Sequence, residues 1–228
     1  MKPIVVASTR PWNEYLAKEI NRAAGIPTYL VKSKTELNQQ YLEALNPEYI
    51  FFPHWSHMIP PDVYEKYECI IFHMTDLPFG RGGSPLQNLI QRGYENTKIS
   101  AIRCVPELDG GPVYLKKDLN LNGSASEIFL RASKIIKQMI LEIIEKKPVP
   151  VPQKGEVVVF KRRSPEQSNI KTAQIRTLDD FFDFIRMLDA EGYPKAFLNV
   201  HSFKVEFTRV QREPNGLYGS FSIHIEEK

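Results

Sequence analysis

Four short apolar runs within the first 72 residues constrain this chain more than any other feature. They are Pro3-Ile4-Val5-Val6-Ala7-Ser8, Thr28-Tyr29-Leu30-Val31, Tyr49-Ile50-Phe51-Phe52 and Cys69-Ile70-Ile71-Phe72. Runs this apolar and this short are expected of strands buried on both faces of a sheet. Helix signals fill the gaps between them. One helix starts from Thr9-Arg10-Pro11-Trp12 and runs to about Ala24, where Gly25 ends it. A second is expected over about Lys34–Leu45, stopped by Asn46-Pro47. Strands alternating with helices predict an α/β fold with a Rossmann-like, mostly parallel sheet. No Gly-x-Gly-x-x-Gly is present, so the dinucleotide fingerprint is missing.

The first loop admits two readings. Ser8 and Arg10 stand where exposed amides at a helix start would favour an anion, so they are candidates to touch a substrate phosphate or carboxylate. The same residues also fit a plain helix start.

Charge narrows the partners. The 228 residues carry a net charge of +3, and the basic groups are small: Lys116-Lys117, Lys146-Lys147 and Lys161-Arg162-Arg163. A dedicated nucleic-acid binder shows a clustered basic face, so no nucleic-acid partner is expected. Cys69 and Cys104 fall in apolar strands and read as small hydrophobes in a reducing compartment. No apolar run reaches membrane-spanning length and no signal peptide is recognised, so a cytoplasmic protein without a membrane partner is expected. His54 and His57 have i, i+3 spacing, but Pro53 and Pro60 flank them and no Cys/His cluster joins them, so no metal is expected.

The stretch from Cys69 to Gly111 carries the chemistry. His73 follows a buried strand where the strand would leave the sheet, the edge at which open α/β sheets bind ligands. Leu77-Pro78-Phe79-Gly80-Arg81-Gly82-Gly83 is turn material in which glycine permits close backbone approach, and Ser84-Pro85 reads as an N-cap followed by proline at the first helical position. Asp109 sits in a turn-prone Leu-Asp-Gly-Gly after the next strand, so His73 and Asp109 are expected on adjacent loops at one sheet edge.

These residues resemble the signature of the folate-dependent formyltransferases, which include methionyl-tRNA formyltransferase, glycinamide ribonucleotide transformylase and the sugar N-formyltransferases. That signature is Asn-x-His, then Leu-Pro-x-x-Arg-Gly-x-x-Pro, then Leu-Asp-x-Gly. It is met by His73, by the segment from Leu77 to Pro85, and by Leu108-Asp109-Gly110-Gly111, within a likeness over roughly residues 48–146. One position departs: Ile71 stands where the family has asparagine. The resemblance implies an N-formyltransferase that uses N10-formyltetrahydrofolate as co-substrate. It implies His73 and Asp109 as catalytic residues. Trp55, Met58, Ile59, Pro106, Glu107 and Leu108 would contact the folate, and Arg81, Gly82, Gln87 and Tyr193 the acceptor. Isoleucine cannot donate a hydrogen bond. Thr75, two residues past His73, and His54, at the end of the neighbouring strand, are the candidates to replace the missing amide.

Asp118–Gly123 reads as a loop, and Ser124 and Glu127 as a capping box opening a helix to about Lys146. Ile128, Ala132, Ile135, Met139 and Ile143 give that helix an apolar stripe. Prolines 148, 150 and 152 suggest a linker over 148–153, between a catalytic domain at 1–147 and a C-terminal α+β extension at 154–228. In the extension, a helix is expected over Leu178–Leu188, strands near Lys195–Val200, Phe203–Arg209 and Leu217–Ile225, and a hairpin turn at Asn215-Gly216. The phrase Arg186–Phe197 resembles the sugar N-formyltransferases.

The expected reaction is therefore formylation of an amino sugar, nucleotide-linked or a sialic-acid-like precursor of the pseudaminic-acid type, in surface glycan biosynthesis. A homodimer is expected. The alternatives are another amine, such as methionyl-tRNA or glycinamide ribonucleotide, or a binding-only protein in which Ile71 has retired the site.

Overall fold

A computed structural model describes residues 2–225. In chain order the first elements are β1 (Ile4–Ala7), α1 (Tyr15–Ala24), β2 (Thr28–Val31), α2 (Gln39–Leu45), β3 (Tyr49–Pro53), α3 (Pro61–Tyr64), β4 (Cys69–His73), β5 (Phe79–Gly82) and α4 (Pro85–Gln91). Then come β6 (Asn96–Arg103), β7 (Val113–Asn120), α5 (Ala125–Lys146), β8 (Val158–Phe160), α6 (Leu178–Arg186), β9 (Ala196–Val200), β10 (Phe203–Glu213) and β11 (Gly216–Ile225). The chain divides into two compact units, and neither is a single stretch of sequence: residues 2–82, 97–119 and 130–159 make the first, and 83–96, 120–129 and 160–225 the second.

The first unit is built on a six-stranded sheet of order β2-β1-β3-β4-β6-β7. β1 pairs parallel with β2 and β3, and β3 parallel with β4, while β6 runs antiparallel to β4. The sheet is therefore mostly parallel, as the alternation of strands and helices requires. All four residues of β1 are buried, as are Ile50, Phe51 and Phe52. Each of these Ile, Val and Phe side chains contributes ~1.5–3 kcal/mol of transfer free energy. Gly25 ends α1 in the left-handed region at φ 67°, a conformation that costs glycine nothing.

Several details differ from expectation. α2 starts at Gln39 rather than near Lys34, because Ser33, Thr35 and Glu36 bond among themselves and Glu36 also accepts the Lys32 N–H. Asn38 is the cap, its side chain accepting from Tyr41 N at 2.9 Å. Asp118–Gly123 is a loop only from Leu121, since β7 continues to Asn120 as the polar outer strand of the sheet. In the stripe of α5, Ile128, Ala132, Met139 and Ile143 are fully buried, but Ile135 is only half-buried and Ile136 and Ile140 take the inner positions. Cys69 and Cys104 are free and buried, and burial pushes the Cys104 thiol up to about 11.

The second unit carries α4, α6 and an antiparallel sheet of order β11-β10-β9. Thr177 and Asp180 form a reciprocal capping box that starts α6. Pro85 does occupy the first turn of α4, but Ser84 adopts φ 51° and makes no side-chain cap; its Oγ accepts the Arg163 N–H at 3.0 Å instead. The hairpin turn lies one residue earlier than expected. Glu213 pairs with Gly216, so Pro214-Asn215 is the two-residue loop. Among the described residues, no helix is long and apolar enough to cross a membrane.

Candidate active site

The site is assembled in the first unit around the end of β4. His73 is the last residue of that strand and is buried. Its Nε2 lies 2.7 Å from the Gly80 carbonyl oxygen, and its Nδ1 lies 3.5 Å from Asp109 Oδ2. Both neighbours of the ring are hydrogen-bond acceptors, and each also accepts from a second donor. The Gly82 N–H donates to the same Asp109 oxygen at 2.8 Å. Thr75 is also buried, and its hydroxyl donates to the Gly80 carbonyl at 3.3 Å. The glycine-rich turn thus grips His73 and Asp109 through backbone atoms.

Asp109 adopts φ 49° in the left-handed region. Its loop is closed by close packing: a Cβ added at Gly111 would run into the Arg103 carbonyl oxygen, and the Arg103 N–H donates to Pro112 O at 2.9 Å. Gln153 completes the clamp and was not legible in the sequence. Its Oε1 accepts from Arg81 Nε and Nη2 at 3.1 and 2.8 Å, while its Nε2 donates to Asp109 O and Gly111 O, both at 2.8 Å. Arg81 also pairs with Glu107. The stretch expected as a free linker is therefore tied down here, with Val151 bridged to Val113.

The loop after β3 holds further expected residues. Trp55 packs against a core cluster containing Phe52, Ile59 and Cys104, to which Ile71 is also packed. The Trp55 indole N–H is buried without a hydrogen-bond partner. Met58 and Leu108 expose 76% and 58% of their surface, and Pro106 is exposed. A flat, polar-edged heterocycle fits such surroundings: exposed apolar side chains to cover a ring face, and one orphaned donor to meet a ring edge.

Other expected contacts lie elsewhere. Ser8 is buried, and its hydroxyl accepts from Asn13 Nδ2 at 2.9 Å, so it closes the chain turn at Pro11–Asn13. Arg10 lies 5.7 Å from the Trp12 ring and 3.5 Å from Ser56 Oγ, beside the loop that follows β3. Gln87 and Tyr193 belong to the second unit. Gln87 is buried and donates to Met187 O at 3.0 Å, and Tyr193 stacks on Phe129 at 5.2 Å, so both are held by packing within that unit.

His54 adopts φ 53°, with Nδ1 3.1 Å from Asn13 Nδ2 and Nε2 3.2 Å from Met74 Sδ. Burial, with the Arg10 charge second, pushes its pKa down to about 4. Neither candidate substitute for the missing asparagine therefore directs an uncommitted donor into the site: the Thr75 hydrogen serves Gly80, and His54 is engaged by Asn13 and Met74.

A family model described as formyl transferase matches residues 15–138, and one described as the C-terminal domain of methionyl-tRNA formyltransferase matches residues 165–224. The latter includes the whole of the phrase Arg186–Phe197 that resembled the sugar enzymes. The solved structure of methionyl-tRNA formyltransferase from Clostridium thermocellum is 46% identical, covers 99% of this chain and 100% of its own, and superposes with a TM-score of 0.95. The curated methionyl-tRNA formyltransferase of Thermotoga neapolitana is 26% identical over 73% of this chain and 55% of its own length. The chain thus spans about half the length of the curated relatives it matches. A sugar N-formyltransferase from Shewanella shares the fold at 13% identity, covering 99% of this chain and 96% of its own, with a TM-score of 0.68. With a matching model over more than half its length, this chain belongs to the formyl transferase family.

Proposed function

We propose that the chain transfers a formyl group from N10-formyltetrahydrofolate to the primary amine of an amino sugar, and that His73 and Asp109 carry the proton traffic. The folate supplies an activated formyl carbon. As the acceptor nitrogen bonds to that carbon, the bond to the folate nitrogen breaks, the amine loses one proton and the departing folate nitrogen takes one up. His73, which is buried, and Asp109, partly buried 3.5 Å away, would relay that proton. The Gly80 carbonyl and the Gly82 N–H fix the two partners, which limits the reorganisation needed during the reaction. The observation that carries the reading is this imidazole–carboxylate contact, drawn from two separate motifs and held by the glycine-rich turn between them. Trp55, Met58, Ile59, Pro106, Glu107 and Leu108 would hold the folate, and Arg81 and Gly82 would support the reacting end.

Charge supports a small acceptor. In the second unit, four basic residues stand paired with acids: Arg212 with Asp179, Arg186 with Asp183, Lys195 with Asp189 and Lys204 with Glu206. Binding a tRNA rests on neutralising many phosphates with cations that are not already spent. The rival acceptor is methionyl-tRNA, favoured by the 46% identity to the Clostridium thermocellum protein of that name.

The test is to incubate the purified chain with N10-formyltetrahydrofolate and, separately, amino sugars, nucleotide-linked amino sugars and methionyl-tRNA, following product mass. Formyl gain on an amino sugar is the expected result. Gain on methionyl-tRNA alone would replace the acceptor but keep the chemistry. Turnover that survives loss of His73 would remove the proposed mechanism.

A further inference from the structure

A cleft of about 500 Å³ opens within the second unit, and none of the residues assigned above to formyl transfer lines it. One side of it is the polar face of the three-stranded sheet. Directly opposed residues of antiparallel strands share a face, and here Lys204 stands opposite Asn199 and Glu206 opposite Phe197. The facing side is the segment of two short helical turns, Pro165–Ser168 and Ile170–Thr172, and Pro194 completes the lining. The two sides are tied together. Asn169 is bridged to Phe197 of β9, and the buried Ser168 donates its hydroxyl to Pro194 O at 3.4 Å. A cleft of this volume lies in the ~300–1,000 Å³ range of small-molecule sites.

The polar groups of the lining are set in place by the backbone. Gln167 Oε1 accepts the Ser164 N–H at 2.8 Å, and Asn169 Oδ1 accepts the Lys171 N–H at 3.0 Å. Each carboxamide is thereby oriented through its oxygen, and its NH2 group has no acceptor among the described residues. Thr172 donates its hydroxyl hydrogen to Asn169 O at 3.1 Å, which leaves the hydroxyl oxygen as an acceptor. The charges of the lining do not call for an anion. Lys204 is answered by Glu206 at 2.8 Å, and the remaining charged residue of the lining is an acid, Glu166. The apolar surface comes from Pro165, Pro194 and Phe197. Stacking of a flat base on Phe197 meets competition, because the Lys204 ammonium already lies 4.7 Å from the centre of that ring.

We infer that this cleft is a binding site for an uncharged saccharide, held as a pyranose ring within the second unit. A pyranose carries hydroxyls around its rim that both donate and accept, and C–H faces that lie against aliphatic rings. The two oriented NH2 groups and the Thr172 oxygen meet the first requirement, and the two prolines the second. A phosphate or carboxylate ligand would instead find one unpaired acid and no unpaired cation in the lining. The site does not rest on the acceptor proposed above. A chain that formylates methionyl-tRNA would keep it, because every group that forms it belongs to the second unit.

The experiment is a titration of the purified, nitrogen-15-labelled chain with methyl glucoside and, separately, with inorganic phosphate, in the absence of folate. The readout is the side-chain NH2 signals of Gln167 and Asn169 in two-dimensional NMR spectra. The glucoside should move both and saturate in the ~1 mM range, the affinity open to a ligand of this size held by a few hydrogen bonds. Phosphate should leave them in place. Gln167→Met keeps the side-chain length and removes the donor, so the Asn169 signal should report an affinity about fivefold weaker. Thr172→Tyr, at an exposed position, fills the cleft without touching the Ser164–Gln167 bond and should abolish saturation even if Q167M loosens its turn. Signals that stay unmoved at tens of millimolar glucoside overturn the inference. So does a response to phosphate alone, or glucoside binding that survives T172Y unchanged. Because no formyl transfer is measured, failure of the acceptor reading and failure of this site give separate results.

Discussion

The carboxamide of Gln153 joins the guanidinium of Arg81 to the backbone of Asp109, accepting from Arg81 at 2.8 and 3.1 Å and donating to the Asp109 carbonyl at 2.8 Å. Arg81 and Asp109 belong to two different motifs of the sequence, and the residue that connects them comes from a third, proline-rich stretch. All of its hydrogen-bonding capacity on the donor side is used, because the second N–H goes to Gly111 O. The position of the Asp109 carboxylate, and with it the His73 pair, is therefore coupled to position 153.

Replacing Gln153 tests that coupling. Q153A removes the clamp and should lower kcat about tenfold or more, with less effect on KM for folate, since small misplacement of a reacting group is costly. Q153E keeps an acceptor for Arg81 but sets a carboxylate against two carbonyl oxygens, so it should be at least as damaging as alanine. The acid limb of the pH–rate profile should move in both variants, which a loss confined to global stability would not produce. Equal activity of wild type and Q153E would remove Gln153 from the positioning of Asp109.

His73→Ala and Asp109→Asn should each lower kcat by about 10²–10⁴, the range of a lost acid–base group. D109N keeps a side-chain oxygen to accept the Gly82 N–H but loses the charge facing His73, so its melting temperature should stay close to wild type while turnover falls. A double variant no slower than the worse single one would indicate that the two act as a unit. Single-turnover rates on whichever amine is formylated are the measurement.

How much of this was readable from the chain depends on where the information sits. The inner strands were legible because burial on both faces forces continuous apolar runs, as in Val5-Val6-Ala7 and Phe51-Phe52. β7 was cut short in the reading because Lys116, Lys117 and Asp118 at the sheet edge need no apolar pattern. His73 and Asp109 were found through motifs, whereas Gln153 bonds to backbone and to a residue 72 positions away, and no local pattern announces such a contact. Ser8 was marked as a substrate contact from its place at a helix start and Gln87 through the resemblance, and only the structure reveals that their polar atoms are engaged by Asn13 and Met187.

His54 makes stability depend on acidity. Its folded-state pKa is depressed to about 4, first by burial and then by Arg10, whereas the unfolded side chain takes a proton near 6.5. Protonation would also aim an Nδ1–H at the Asn13 amide nitrogen 3.1 Å away. The unfolded chain therefore binds the extra proton between these values. Stability should be complete above about pH 6.5, fall as pH drops from 6.5 to 4, and lose nothing further from this group below that. The loss should be about 2 kcal/mol, smaller than the full window implies because His54 keeps partial solvent contact. Urea unfolding at pH 7 and pH 4.5 measures it, and His54→Gln should flatten the difference. An unchanged difference in that variant would assign the acid sensitivity to other groups.

Ile71 is the position where the chain departs from the motif it otherwise meets, and it offers the sharpest test of what the site lacks. Its backbone lies between Phe52 of β3 and Ile102 of β6, and its side chain is packed against two apolar clusters, one with Phe52 and Ile59 and the other with Leu77, Ile102 and Val113. Isoleucine here contributes packing and no hydrogen bond. Ile71→Asn should cost about 1–2 kcal/mol, because it exchanges partly buried methyl groups for an amide that the clusters do not satisfy. If formyl transfer in this chain is limited by the missing donor, the same change should raise kcat at least tenfold, part of the ~10²–10³ that one well-placed donor contributes. The Thr75 hydroxyl and the His54 ring are already engaged and would not mask the gain. A rate that stays level or falls while the variant remains folded would show that the native reaction proceeds without a donor at position 71. The stabilising group would then have to come from the substrates or from the backbone of the glycine-rich turn.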